Sequence, residues 1–163
     1  GARFKVELNP LDEPDEYGID EIRFLMSANA GEALGRISKI ASGGELSRIM
    51  LALKSVLPGD VGTQIFDEID AGVSGIAAQR VAVKLRQIAG GRQVLCVTHL
   101  PQIAAAADKQ FLVEKRQSDE RTFTAITGLD DDGRANEIAR LIGGENITGA
   151  AIQAARELIQ SER

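Results

Sequence analysis

Two apolar segments of the chain end in residues able to handle a phosphate ester and a water molecule. Thr63-Gln64-Ile65-Phe66 runs straight into Asp67-Glu68, a pair of adjacent carboxylates. A strand ending in two acids can hold a divalent cation with the first and polarise an attacking water with the second. Asp67 therefore reads as the metal-side ligand and Glu68 as the general base. The same pattern also fits a strand that merely exits into an acidic turn. Val94-Leu95-Cys96-Val97 ends in a second polar pair, Thr98-His99, and His99 is the one histidine in the chain. A histidine after a strand is commonly structural, but this one follows Glu68 by the length of one helix and one strand. Parallel β-α-β geometry would set both at one sheet edge, the carboxyl edge where open α/β sheets bind ligands. His99 at that edge becomes a sensor of the terminal phosphate.

Ser42-Gly43-Gly44-Glu45 stands directly before a segment of helical apolar spacing. Its glycines let backbone N–H groups approach an anion where a helix dipole is positive. A plain loop with an N-cap has the same composition, so both readings stand on these four residues alone. Downstream of the carboxylates, Ile69-Asp70-Ala71-Gly72-Val73-Ser74-Gly75 adds Asp70 and flexible glycines, suited to a loop that passes close to another subunit.

The elements that must position these residues follow from periodicity. Residues 2–8 and 21–26 alternate apolar and polar side chains and read as two strands, with Pro10, Pro14 and Gly18 in a loop between them. Leu46, Ile49, Met50, Leu53, Val56 and Leu57 predict an amphipathic helix stopped by Pro58-Gly59. Helical spacing returns over 74–89 and breaks at Gly90-Gly91, before residues 93–98 as a buried strand. Alternation of strand and helix favours an α/β layer with parallel strands. Residues 109–127 predict a hairpin across Ser118-Asp119-Glu120, and helices over 133–142 and 149–160 flank Gly143-Gly144.

With 163 residues, 44% of them hydrophobic, the chain can bury about two-thirds of its unfolded surface as a single domain spanning 1–163. A net charge of −5 excludes a basic nucleic-acid-coating protein. Arg80, Lys84 and Arg86 accordingly read as a solvated helix face rather than a DNA-binding stripe. Cys96, inside an apolar run, reads as a buried structural thiol, and a lone cysteine forms no disulfide framework. Neither a signal-peptide pattern nor an apolar stretch near the roughly 18 residues of a membrane span is present, so a cytosolic protein without membrane contact is expected. The chain does not begin with methionine and reads as part of a longer protein.

Taken in order, these motifs resemble the ATP-binding-cassette (ABC) ATPases. Ser42-Gly43-Gly44-Glu45 is similar to the signature motif, Ile65-Phe66-Asp67-Glu68 to the Walker B strand, Asp70 to the D-loop aspartate and His99 to the switch histidine. Transporter ATPases usually carry Pro-Thr after the Walker B glutamate. Ile69-Asp70 stands here instead, as in the SMC-like branch. Residues 41–48, 66–75 and 97–103, and the closing stretch 137–144 with Ile147-Thr148, resemble bacterial recombinational-repair members of that branch, over essentially the whole chain.

The resemblance implies an α/β fold, the C-terminal lobe of an ATPase head. Its sheet would be mostly parallel and flanked by helices, with an N-terminal strand pair and a C-terminal helical pair. It further implies ATP and Mg²⁺ as cofactors, Glu68 and His99 in catalysis, Asp67 at the metal, and Ser42, Gly43, Gly44, Glu45, Asp67 and Asp70 around the nucleotide. ATP would lie between two heads of a homodimer, with the Walker B residues acting in cis and Ser42 to Glu45 in trans. DNA would be engaged through the intact, nucleoid-associated cytoplasmic protein. One element of the family pattern is missing: no Gly-x-x-x-x-Gly-Lys-Ser/Thr phosphate loop occurs in this sequence. In SMC-like proteins that loop lies in an N-terminal lobe beyond a long coiled coil. The resemblance thus implies a chain that starts after the coiled coil, is inactive alone and has the P-loop lobe as a partner. A generic SMC or transporter lobe, and a non-catalytic dimerisation module, are the alternatives; Asp67-Glu68 together with His99 argue against the last.

Overall fold

A computed structural model describes residues 2–27, 31–40, 43–56, 61–118 and 121–162. The chain gathers into two compact units, Gly1–Leu46 and Ser47–Arg163. The first is built on β1 (Arg3–Asp15), β2 (Gly18–Ser27) and the short β3 (Gly35–Arg36), an antiparallel sheet in the order β1-β2-β3, followed by the one-turn α1 (Ile37–Ile40). Both long strands run past the predicted ends. Asp15 turns the chain by accepting the N–H groups of Tyr17 (2.8 Å) and Gly18 (3.0 Å), and Gly18 takes φ +135°, a conformation open to glycine. Pro10 and Pro14 do not break β1 because it is an edge strand, and its register with β2 shifts between Pro10 and Asp15.

The helix α2 (Gly43–Val56) begins in the first unit and continues into the second. Its predicted end at Pro58-Gly59 lies outside the described residues. The buried hydrophobic side chain of this helix is Leu51, whereas Leu46, Met50 and Val56 of the predicted apolar set are exposed. The set has the right period for a helix but does not mark the face that Leu51 buries.

The second unit holds the parallel pair β4 (Thr63–Phe66) and β5 (Gln93–Cys96), joined through α3 (Gly75–Ala89). Next come α4 (Pro101–Ala105), the hairpin β6 (Phe111–Ser118) and β7 (Arg121–Gly128), and the helices α5 (Asp131–Gly143) and α6 (Gly149–Ser161). The hairpin and the two final helices fall where the periodicity puts them. Among the described residues β4-β5 is the one parallel pair, and the N-terminal sheet and the hairpin are antiparallel. Connection length is the reason. Two residues separate β1 from β2 and β6 from β7, which forces antiparallel pairing, whereas the crossover through α3 is long enough for a parallel one. The buried strand expected over 93–98 is corrected, since Leu95 is exposed, as is Ile65 beside it on β4.

Two apolar clusters carry the unit. Ala78, Val81, Ala82, Leu85 and Ile88 form one stripe of α3 and pack with Leu51, Phe66, Ile69, Ile103 and Ala106. Ala135, Ile138 and Ala139 of α5 meet Ala155 and Ile159 of α6. The short α4 belongs to both, giving Ile103 to the first and Ala104 and Ala105 to the second. Its C-terminal carbonyls are held by two guanidinium groups. Arg86 donates to Ala106 O (3.2 Å), and buried Arg134 donates to Ala107 O (2.6 Å) and Ala105 O (3.4 Å). Arg86 also donates to Glu162 O. Arg86 is therefore not part of a solvated face, which corrects the reading of α3; Arg80 and Lys84 are exposed as expected. Asp130 and Thr148 cap α5 and α6, accepting the N–H groups of Gly133 (2.8 Å) and Ala151 (3.1 Å). Ile138 is fully buried between these helices, so Ile138→Ala should cost about 2–5 kcal/mol. Urea unfolding checks this: the midpoint should fall with the slope unchanged, and a midpoint within error of the parent would contradict the packing.

Candidate functional site

The four rungs of the parallel ladder, Thr63↔Gln93 to Phe66↔Cys96, bring the C-terminal ends of β4 and β5 side by side. Val97 N–H extends the pairing by donating to Phe66 O (3.0 Å), so the chain leaves β4 into Asp67-Glu68 beside the point where β5 passes into Thr98-His99. Asp67 and Glu68 are both exposed at this end. Glu68 has φ +55°, the left-handed region that costs a residue with a β-carbon about 1 kcal/mol or more, and strain of this kind gathers at functional sites. Asp67 Oδ1 accepts the Glu68 N–H (2.9 Å), which fixes the turn locally.

Asp70 turns the other way. It is 4% exposed, and a single oxygen, Oδ2, accepts from the Thr98 hydroxyl (2.6 Å) and the His99 N–H (2.9 Å) while lying 3.0 Å from His99 Nδ1. Burial works against its charge. The Thr98 hydroxyl, the His99 N–H and the His99 ring outweigh that cost and hold the carboxyl below its ordinary value. The side chain of Asp70 is thus directed at the histidine of its own chain. His99 itself is 71% exposed on its side chain. Beside it, burial and the charges of Asp70 and Asp67 push the Cys96 thiol up to about 12, so it is the inert thiol the sequence suggests.

Three residues that motif reading gave no role help to hold the strand ends. Ser47 Oγ donates to Asp67 O (3.0 Å), and Arg48 donates to Ala71 O (2.7 Å) and Ile69 O (3.5 Å), pinning α2 to the segment that carries the acids. Thr98 is the third. Its only sequence signal was its place next to the histidine. Of the expected phosphate loop, Gly43, Gly44 and Glu45 open α2 in the first unit, and Ser42 lies outside the described residues. The geometry therefore brings together Asp67, Glu68, Asp70 and His99 and leaves the Ser42 loop unassigned. Among the described residues no group of three or more His, Cys, Asp or Glu side chains could hold a metal unaided.

Comparison with known proteins follows the same lines. No protein-family model matches the chain. It is 49% identical over 158 residues to the DNA repair protein RecN of Deinococcus radiodurans, covering 97% of this chain and 28% of that protein. Against RecN of Bacillus subtilis it is 48% identical over 147 residues, covering 89% of this chain and 26% of the relative. For RecN of Treponema pallidum the figures are 44% over 168 residues, 98% and 29%. The chain is homologous to RecN. The homology spans little more than a quarter of the RecN proteins themselves. Among solved structures, one from work on ATP-driven dimerization and DNA stimulated activation of SMC ATPases has the same α/β fold, with a TM-score of 0.52 at 21% identity, covering 81% of this chain and 74% of that one. No helix among the described residues of this RecN homologue is long and apolar enough to cross a membrane.

The carboxylate at the centre of the site gives a stability test with a fixed sign. A carboxyl held below its ordinary 3.8 in the folded chain stabilises the fold fully above that value and loses the contribution as pH falls through the lower folded value. Asp70→Asn should cost about 1–3 kcal/mol at neutral pH, because the donors around this buried carboxylate lose a charged acceptor. The deficit, read by urea unfolding, should shrink below pH 3.8. A deficit independent of pH would show that the ionised form is not what the donors hold.

Proposed function

We propose that this chain is one lobe of an ATP-hydrolysing head of the RecN and SMC kind, acting in repair of broken DNA. The observation that supports it most is the convergence of Asp67, Glu68 and His99 on the paired ends of two parallel strands, with Asp70 behind the histidine. The relatives' name, DNA repair protein, supports the cellular role.

Mg²⁺ fits the residues present. It binds through one or two carboxylates and fills its remaining positions with phosphate oxygens and water, so Asp67 suffices as the protein's ligand. When bound, the ion neutralises charge developing on the phosphates. Glu68 takes a proton from the attacking water. Its exposed position just past the end of β4 leaves it open to that water. His99 meets the terminal phosphate through its exposed ring. Ser42, Gly43, Gly44 and Glu45 are assigned to the nucleotide of a second head, and a phosphate-binding lobe from elsewhere in the protein completes each site. The open apolar side chains of Ile65, Leu95 and Val97, on the free face of β4 and β5, are a suitable surface for that lobe. A non-catalytic dimerisation module would not need a strained glutamate beside a histidine held by a buried acid.

Two outcomes follow. The chain alone should bind ATP weakly and turn none over, because it carries no phosphate loop; turnover by the purified chain that vanishes with Glu68→Gln would overturn the split-site reading. In the intact protein, Glu68→Gln keeps shape and hydrogen bonding but removes the base, and should slow the chemical step by roughly 10²-fold or more. ATP-bound heads should then accumulate as a larger species in light scattering. Asp67→Asn should instead weaken Mg²⁺-ATP binding and leave the heads apart. Wild-type turnover by Glu68→Gln would remove Glu68 as the base.

A further inference from the structure

The ring of His99 stands 71% exposed, so packing does little to fix its orientation. Among the described residues the polar contact of the ring is Nδ1 to Asp70 Oδ2, at 3.0 Å. Whatever holds that oxygen therefore sets which ring nitrogen faces outward. Two other donors reach it. One is the His99 backbone N–H, which moves with the histidine. The other is the Thr98 hydroxyl at 2.6 Å, the shortest of the three contacts and the only one from outside the histidine.

Thr98 Oγ1 is also an acceptor. The N–H of Leu100 donates to it at 3.1 Å, immediately before α4, whose Pro101 opens the helix and whose Ile103, Ala104 and Ala105 are buried. The hydroxyl therefore uses its proton on Asp70 and a lone pair on the start of α4, which fixes its direction. Through it the exposed histidine is tied to a helix anchored in both apolar clusters and clamped at its far end by Arg86 and Arg134.

We infer that Thr98 is a positioning residue that, through Asp70, holds His99 in the Nδ1–H tautomer and presents Nε2 as the nitrogen that meets the substrate. The assignment rests on the reading of His99 as a phosphate-facing group. The state of the ring can nevertheless be read without nucleotide. A neutral imidazole carries its proton on one nitrogen, and an acceptor fixed at Nδ1 selects the form with the proton there. Losing the hydroxyl removes the side-chain donor that Asp70 Oδ2 has from outside the histidine and leaves Leu100 N–H without this acceptor. The carboxylate can then turn, and the ring loses its selection.

The chain has one histidine, so nitrogen NMR of the imidazole reports His99 without overlap. At a pH where the ring is neutral, the wild-type chain should show Nδ1 as the protonated nitrogen and Nε2 as the bare one. Thr98→Val should make the two nitrogen signals converge or exchange positions, with backbone amide signals of α5 and α6 unmoved. Thr98→Ser should restore the wild-type pattern, which a merely structural role for the threonine methyl would not. A wild-type tautomer in Thr98→Val, or a Thr98→Ser chain that behaves like Thr98→Val, overturns the inference. So does a wild-type ring protonated mainly at Nε2, a result that needs no variant to fold. Because no ATP is present, these outcomes leave the ATPase reading standing. Conversely, an intact protein that fails to hydrolyse ATP does not alter the tautomer.

Discussion

The parallel pairing of β4 with β5 is the constraint on which the site depends. Its four rungs, continued by Val97 N–H to Phe66 O, fix the register between a strand that ends in two acids and one that ends in Thr98-His99. A slip of one residue would turn Phe66 and Gln64 out of the core and carry Asp67 and His99 to opposite faces. The crossover helix secures the register from one side, since its buried stripe packs against Phe66 and Ile69. Ser47 and Arg48 of α2 secure the exit of β4 by donating to the carbonyls of Asp67, Ile69 and Ala71.

At the strand ends the three acids divide their work by environment. Asp67 and Glu68 face water and can meet a cation and a nucleophile. Asp70, only two residues beyond Glu68, is buried and surrounded by donors. The intervening Ile69 is fully buried and anchors the turn, so the chain emerges for two residues, dips into the core and leaves again. The left-handed backbone of Glu68 is the local cost of that path.

Much of this was legible in the sequence. The period of α3, the hairpin of β6 and β7, and the two C-terminal helices are strong periodic signals. The separation of Glu68 from His99 was enough to place them at one edge. Other features left no mark because they arise only in three dimensions. Asp70 reads as a loop acid open to another subunit, and nothing in its neighbours shows that Thr98 and His99 will face it. Arg86 sits among Arg80 and Lys84 and looks solvated, yet it reaches carbonyls at Ala106 and Glu162. The length of β1 and β2 was missed because proline reads as a break unless the strand is known to lie at a sheet edge. α4 is too short to show a period, although it carries the histidine loop.

The central claim is that the ends of β4 and β5 form half of an ATP site that another segment completes. A structure of the intact protein with Mg²⁺ and a non-hydrolysable ATP analogue tests it most directly. The account predicts Asp67 at the metal, Glu68 on the water in line with the terminal phosphate, and His99 Nε2 in hydrogen-bond reach of a terminal phosphate oxygen. A nucleotide bound away from these strand ends, or bound there with Glu68 and His99 turned aside, would contradict it.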